Sequence, residues 1–445
     1  MEDGHAGLSG PAGAAEIIHS CVNQSGPCVS NRISWESVRP WPVYLTAAML
    51  PFSLAATNIA KVFMLVFAVV ALGQAAVRRE SLPVFLRLRT PLVIGVMLAL
   101  LALSLAYTSA PLNDALQGLN KYSKLLLLPM VLLLVRHRRE AVIALGAYIV
   151  VETFVVLSSF MLSAGLILPW VIKPLYVRLH VATVFSSHLD QTIMTAGLAA
   201  LAWHLRNEFP GRYGPRLAVA LVVLAIVNVL LLLPGRSAQV ALLVAMSLAL
   251  FWAAPGRLRP VAVLAPLLLV AVVMTGSPHF RGRTTAVITE SMAYTQGDRA
   301  PTSSGTRLNL WHRSLQAIQE KPLAGHGVGS WRQAYARLEK SEPNPMLSRA
   351  FNPHQEYLLW GVHLGLGGIG LLLAFGFAVV RDAAPLRPDI RHATWSLLAI
   401  LAVVCLFNST LFDALIGDYF CVLLGLLLAL GMLTPPREEA PHEPG

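Results

Sequence analysis

His354 stands in Phe351-Asn352-Pro353-His354-Gln355-Glu356-Tyr357, immediately before a long apolar run. This order predicts Asn352 as a helix N-cap, Pro353 at the first helical position and Gln355 folding back as in a capping box. His354 then falls in the first turn, at the mouth of the run. The partial positive charge of a helix N-terminus disfavours imidazolium and attracts anions, so a neutral imidazole and a phosphate can share the place. A neutral histidine beside a phosphate is a base awaiting a hydroxyl. A histidine that only anchors the helix would show the same pattern.

Two arginines supply matching cations. Arg236, in Leu233-Pro234-Gly235-Arg236-Ser237-Ala238, occupies a very short turn between apolar runs. There it either snorkels to headgroups or meets a negative partner. Arg307, in Ser303-Ser304-Gly305-Thr306-Arg307-Leu308, opens a helical pattern; a solvated surface arginine is its bland reading. Guanidinium groups can neutralise a departing diphosphate in place of a metal. The chain has no Asp-x-Asp pair, and His354 and His363 fall on opposite faces of one helix, so neither a metal nor another cofactor is expected. Lys121, Lys124, Lys173, Arg178, Arg281 and Arg283 are further candidates to guide a diphosphate. Asp190, Gln191, Gln355, Trp311 and Asp413 are candidates for sugar or acceptor contacts, with helix capping the alternative for Asp190 and Asp413. Gly325-His326-Gly327-Val328-Gly329 resembles a nucleotide loop but follows Pro322, and is expected to be a flexible turn. Glu152, in mid-run, calls for a partner or water, in a structural hydrogen bond or, as the alternative, in catalysis.

The elements that must position these residues are helices in a bilayer. Of 445 residues 56% are hydrophobic and 13% charged, and mean hydropathy is +0.62. About twelve runs meet the roughly 20-residue length a spanning helix needs. They fall near 43–58, 59–77, 91–108, 124–136, 141–165, 188–205, 217–233, 237–253, 259–275, 356–380, 392–409 and 416–434; Thr57, Asn58 and Lys61 are the only polar break in the first two, which form either a tight hairpin or a differently divided pair. The expected class is an all-α polytopic membrane protein. The net charge of +11 sits as arginines in short loops and not as a basic patch, so nucleic acid is not expected as a partner. Alternate loops carry Arg78–Arg79, Arg136–Arg139, Arg206–Arg216, Arg257–Arg259 and Arg381–Arg391, which assigns them and both termini to the cytoplasm. The expected order is a cytoplasmic tail (1–42), nine spans (43–275), a periplasmic loop (276–353), three spans (354–434) and a second tail (435–445). No basic n-region or cleavage site precedes the first run, so no cleaved signal peptide is expected. Cys21, Cys28, Cys405 and Cys421 give no disulfide framework or zinc spacing. In the long loop Leu308, Trp311, Leu315 and Ile318, then Trp331, Ala334, Tyr335 and Leu338, recur at helical spacing. They suggest either a lid of two amphipathic helices on the membrane surface or helices that merely pack together.

Three sequence features together resemble the bacterial O-antigen ligase family. These are the short Arg236-Ser237 turn, the loop stretch with Ser304-Gly305, Arg307 and Trp311, and His354 followed by Leu358. The family commonly has Asn after the histidine, where this chain has Gln355. The resemblance covers roughly Trp41 to Leu433. It implies a GT-C-like glycosyltransferase of the inner membrane with its site facing the periplasm. The implied donor is undecaprenyl-diphosphate-linked O-antigen and the implied acceptor the lipid A core oligosaccharide, amid membrane lipids. It also implies anomeric inversion without metal or ATP. O-antigen polymerases and protein O-oligosaccharyltransferases share parts of the pattern and are the alternative enzymes. A transporter or flippase would need coupling acids in several spans, and Glu152 stands nearly alone.

Overall fold

The computed structural model describes residues 34–77, 88–173, 181–276, 278–296, 302–339 and 352–435. Both tails beyond these bounds, Cys21, Cys28 and Arg178 lie outside the described residues, as do parts of the 276–353 loop. Of residues 1–38 a single helical turn, Trp35–Val38, is described. From Arg39 onward every regular element among the described residues is a helix.

The first apolar stretch forms α1 (Trp41–Met49) and α2 (Leu54–Val77). Their break falls at 50–53 and not at Thr57-Asn58 as the polar residues suggested. Pro51 has no N–H to continue a ladder, and Ser53 Oγ accepts from the Ala56 N–H, which starts a new helix. Lys61, read as part of the break, instead points from mid-helix to Asp418 at 2.6 Å. Next come α3 (Arg89–Leu103), the amphipathic α4 (Leu112–Tyr122), α5 (Leu127–Leu134) and α6 (Arg138–Ser163). They lead to α7 (His188–His204), α8 (Gly214–Val227), α9 (Arg236–Ala253) and α10 (Arg259–Gly276). Three helices of the long loop follow: α11 (Pro278–Thr295), α12 (Ser303–Glu320) and α13 (Trp331–Leu338). The chain ends in α14 (Glu356–Ala383), α15 (Pro388–Cys405) and α16 (Ala414–Met432).

Seven of these helices are long and apolar enough to cross a membrane: α2, α3 with its 3₁₀ extension, α6, α8 with a terminal π-turn, α9, α14 and α16. Of the other expected spans, those matching α1, α5 and α7 are shorter, with 9, 8 and 17 helical residues. α16 is the hub, packed by α5, α6, α7 and α15 and 94% buried along its apolar window, against 28% for α2. Close approach there needs a missing side chain: a Cβ on Gly197 of α7 would stand 1.7 Å from the Tyr419 hydroxyl. Glu152 in α6 accepts from the Thr195 hydroxyl of α7 at 2.7 Å, the structural bond its position called for.

α14 is two helices in line, parted where Leu364 and Gly365 leave helical geometry, Gly365 at φ 65°. The glycine-rich loop fills the break. His326 N–H donates to Val362 O at 2.8 Å, Gly327 N–H to His363 O at 2.9 Å, and Leu366 N–H to Pro322 O at 2.8 Å. These bonds satisfy backbone groups that a break in an apolar helix would leave exposed, at a cost of several kcal/mol each. Gly327, at φ 86°, lies where a Cβ would come 2.4 Å from Thr108 Cα. The segment is therefore a clamped strap, not the flexible turn the sequence suggested. α12 and α13 pack on α14. The buried face of α12 is Leu310, Ser314, Ala317 and Ile318, rotated from the expected stripe, and Leu315 is exposed.

Candidate active site

Arg236 opens α9 directly after the π-turn that ends α8. Gln239 Nε2 donates to the carbonyls of Val229 and Leu233, 3.1 and 3.2 Å away, which fixes the turn between the two helices. Gly235 brings that turn against α7, where a Cβ would lie 2.6 Å from Thr192 Oγ1. The guanidinium then reaches the loop helices, and its Nη2 donates to Ser303 Oγ at 3.3 Å. α12 starts at Ser303, the first residue of its Ser-Ser-Gly signal, and its cap is the preceding Thr302, whose hydroxyl accepts from Gly305 N–H at 3.1 Å. Glu290 of α11 accepts from Ser304 N–H at 3.0 Å, a carboxylate at the positive end of the helix.

One turn into α12, Arg307 faces the same space. Among the described residues its guanidinium has no hydrogen-bond or ion-pair partner. Arg236, Ser237, Ser304, Arg307, Trp311 and Phe407 line a cavity of about 360 Å3 with Ser291, Val240 and Leu308. The Trp311 ring lies 6.5 Å from that of Phe407, and its buried indole N–H lacks an acceptor among the described residues. Burial, and then the charge of Arg236, pulls Arg307 below its ordinary value, though a guanidinium stays charged at neutral pH. Two like charges and an idle N–H donor around one cavity leave a deficit of negative acceptors.

His354 does not line this cavity, though the charge of Arg307 reaches its imidazole. Its imidazole is held below the usual 6.5 by burial, with Arg307 adding to the effect. The expected helix start is corrected here. Helix α14 begins at Glu356, and its N-cap is Gln355, whose side-chain oxygen accepts from Leu358 N–H. His354 therefore precedes the helix, at φ 51° in the left-handed region that a side chain rarely adopts. Asn352 Oδ1 accepts from His354 N–H at 2.8 Å and pins this geometry. Such strain, of order 1–3 kcal/mol, persists only where the surroundings enforce it.

Residues 220–375 match the family model described as O-antigen ligase, a span that holds Arg236, Arg307 and His354. The chain carries an O-antigen ligase family segment. No curated protein matches it. The match supports activity of the O-antigen ligase type or of a related polymerase, and the multiple apolar helices make the chain a multi-pass membrane protein.

The other candidates distribute differently. The Lys124 ammonium is spent on the carbonyls of Phe412, Asp413 and Ala414. Lys121 lies 4.0 Å over the Phe412 ring. Lys173 donates to Ser186 O. Arg281 and Arg283 belong to α11. Gln191 accepts from Val184 N–H at 2.8 Å and holds the loop before α7. Asp190 and Asp413 line a second cavity, apart from the arginines. Among the described residues no group of three or more His, Cys, Asp and Glu is placed to hold a metal ion.

Two residues that sequence reasoning did not rank as positioning groups form the frame between the cavities. The buried Glu356 carboxylate accepts from Leu411 N–H at 2.9 Å, Phe412 N–H at 3.3 Å, Trp360 Nε1 at 2.9 Å and Tyr122 at 3.3 Å. With Lys124 holding the neighbouring carbonyls, both polarities of the 411–414 backbone are gripped by interior charges. The only local signal was the cost of placing a carboxylate and an ammonium beside apolar runs.

Proposed function

We propose that this protein is an O-antigen ligase that transfers O-antigen polysaccharide from undecaprenyl diphosphate to the lipid A core oligosaccharide. The observation that carries the reading is Arg307, a guanidinium with no partner among the described residues, which shares a cavity with Arg236 and Trp311 and whose charge acts on His354. A donor diphosphate supplies the missing negative charge. Arg236 and Arg307 hold it, and Trp311 Nε1–H is free to donate to the same group. His354 takes the proton of the acceptor hydroxyl as its oxygen attacks the anomeric carbon. The glycosidic C–O bond to the diphosphate breaks as the new one forms on the opposite face, so configuration inverts. Charge growing on the leaving lipid diphosphate is met by the two guanidinium groups. Neither metal nor cofactor takes part. Lys121, Lys124, Arg178, Arg281 and Arg283 were candidates for the diphosphate; of these, Arg178, Arg281 and Arg283 remain proposals for guiding it to the site.

The reading places the chain in the inner membrane with about twelve spans in a GT-C-like arrangement and the 276–353 segment in the periplasm. The arginine-rich loops of the opposite set support that orientation. Purified protein assayed with lipid-linked glycan and lipid A core tests the function. Transfer that requires both, and disappears in Arg307→Ala while the protein still folds, is the expected result; transfer only to peptide, or only to a second lipid-linked glycan, replaces the acceptor. Thiol labelling of Leu323→Cys, with the four native cysteines replaced, tests the topology. Intact cells are expected to label; labelling only after permeabilisation puts the loop in the cytoplasm.

A further inference from the structure

The second cavity, about 330 Å3, has a lining unlike the first. Phe52 and Phe185 form one wall, their ring centroids 4.5 Å apart. Asp190, Asp413, Asn408 and Ser186 present polar atoms to it. Its volume lies in the range of about 300–1,000 Å3 typical of small-molecule sites. Asp190 accepts from Ser187 Oγ at 2.9 Å, but Asp413, at the N-cap of α16, makes no side-chain cap bond. Asn408, 4% exposed, lines the same space; its Nδ2 donates to Ser237 Oγ at 3.0 Å, which leaves its Oδ1 as an acceptor. Carboxylates and an amide oxygen ask for donors and repel phosphate, whereas aromatic walls suit the C–H faces of a ring.

We propose that this cavity holds the accepting sugar: a ring with several free hydroxyls and no phosphate, which donates to Asp413, Asp190 and Asn408 Oδ1 and packs on Phe52 and Phe185. The assignment rests on the glycan-transfer reading, with the donor diphosphate in the arginine cavity. Asn408 lines the acidic cavity and Ser237 the cationic one, so a single hydrogen-bonded pair separates them. A hydroxyl on the edge of the bound ring is thereby brought to the donor side. The partition stays in place because Glu356 and Lys124 grip residues 411–414.

Two measurements test this on the full chain in nanodiscs. In steady-state transfer, Asp413→Asn and Ser186→Trp, the second filling the cavity, are each expected to raise acceptor KM at least tenfold and to leave donor KM within twofold. Unchanged acceptor KM in both variants overturns the assignment. The second measurement needs no turnover. Ser186→Cys, in a chain whose native cysteines are replaced, is labelled with a thiol reagent. Deacylated core oligosaccharide is expected to slow labelling, whereas undecaprenyl diphosphate is not. Protection by undecaprenyl diphosphate or by phosphatidylethanolamine vesicles instead of the saccharide, or by none of them, overturns the site. Saccharide protection in a protein that transfers nothing would keep the site and sink the transfer reading, so the two failures are distinguishable.

Discussion

The two cavities flank one short stretch of backbone and have opposite electrostatic character. On one side Phe407 belongs to a space lined by Arg236 and Arg307; on the other Asn408 belongs to a space lined by Asp190 and Asp413. Each cavity is short of the charge it does not contain. The lining of the cationic one holds no carboxylate, and the lining of the acidic one holds no lysine or arginine. The difference teaches that separation of charge, over a partition one side-chain pair thick, can sort a phosphorylated substrate from a hydroxylated one without a metal.

The largest break in the comparison comes from removing the chemistry on its cationic side. A positioned base contributes roughly a hundred- to ten-thousandfold. His354→Ala and His354→Gln should therefore insert and fold as the parent yet lose transfer by about that factor; near-normal kcat in His354→Gln would make the histidine an orienting group. Arg236→Ala and Arg307→Ala are each expected to cost about 10²–10³ in kcat, the scale of losing one preorganised charge donor. Lys replacements should rescue poorly, because an ammonium lacks the planar fork. Chelator in the same assay is expected to leave the parent rate unchanged; a loss restored by a divalent ion would put a metal where the arginines are proposed.

The partition itself is the next target. Glu356→Ala leaves the N–H groups of Leu411 and Phe412 buried without their acceptor, at about 1–3 kcal/mol each. Thermal unfolding should fall by several degrees, and both donor and acceptor KM should rise together. A change in only one of them would show that the 411–414 segment serves a single cavity.

Acidity separates the two sides more gently. His354 is pushed below 6.5 by burial and by Arg307, so it stays in the neutral, proton-accepting form as pH falls past that value. The acid limb of kcat is expected below pH 6.5. Asp413 is raised to about 6, first by burial and then by the like charge of Asp190, with Lys124 and Lys121 opposing. It is ionised above that pH and neutral below, so acceptor KM should rise as pH falls through about 6, and the rise should vanish in Asp413→Asn. The smallest effect is expected at the helix cap. Gln355→Asn keeps a capping amide before Glu356, and both transfer and melting should stay close to those of the parent, within about 0.5 kcal/mol in stability.

How much of this was legible in the sequence differs from residue to residue. Arg236, Arg307 and Trp311 could be singled out because a cation or tryptophan beside an apolar run is locally unusual, and the structure brings these three to one cavity. Asp190 and Asp413 were visible as polar residues at span ends, though not as neighbours. Lys124 read as a free cation and Glu356 as one more residue of the helix-start motif, since nothing near them in the chain shows that their partners lie 288–290 and 55–56 residues away. His354 was placed three positions too deep, because Asn352-Pro353 fits an N-cap signature while the actual cap is Gln355, after a left-handed turn of the backbone at His354.

The sequence by itself determined the helical class, the bilayer as solvent, and a cation-rich set of residues around one histidine. These follow from hydropathy, run length and residue type, all properties of a short window of chain. Only the tertiary structure decided which charges are already spent. Lys124 and Lys61 are occupied by carbonyls and by Asp418, while Arg307 has no partner among the described residues. It also turned a glycine-rich turn into a strap bound in the break of α14 and divided one expected site into two cavities. The physical reason is that in a low-dielectric interior the availability of a charge or a backbone group depends on what packs against it, and those neighbours come from distant helices.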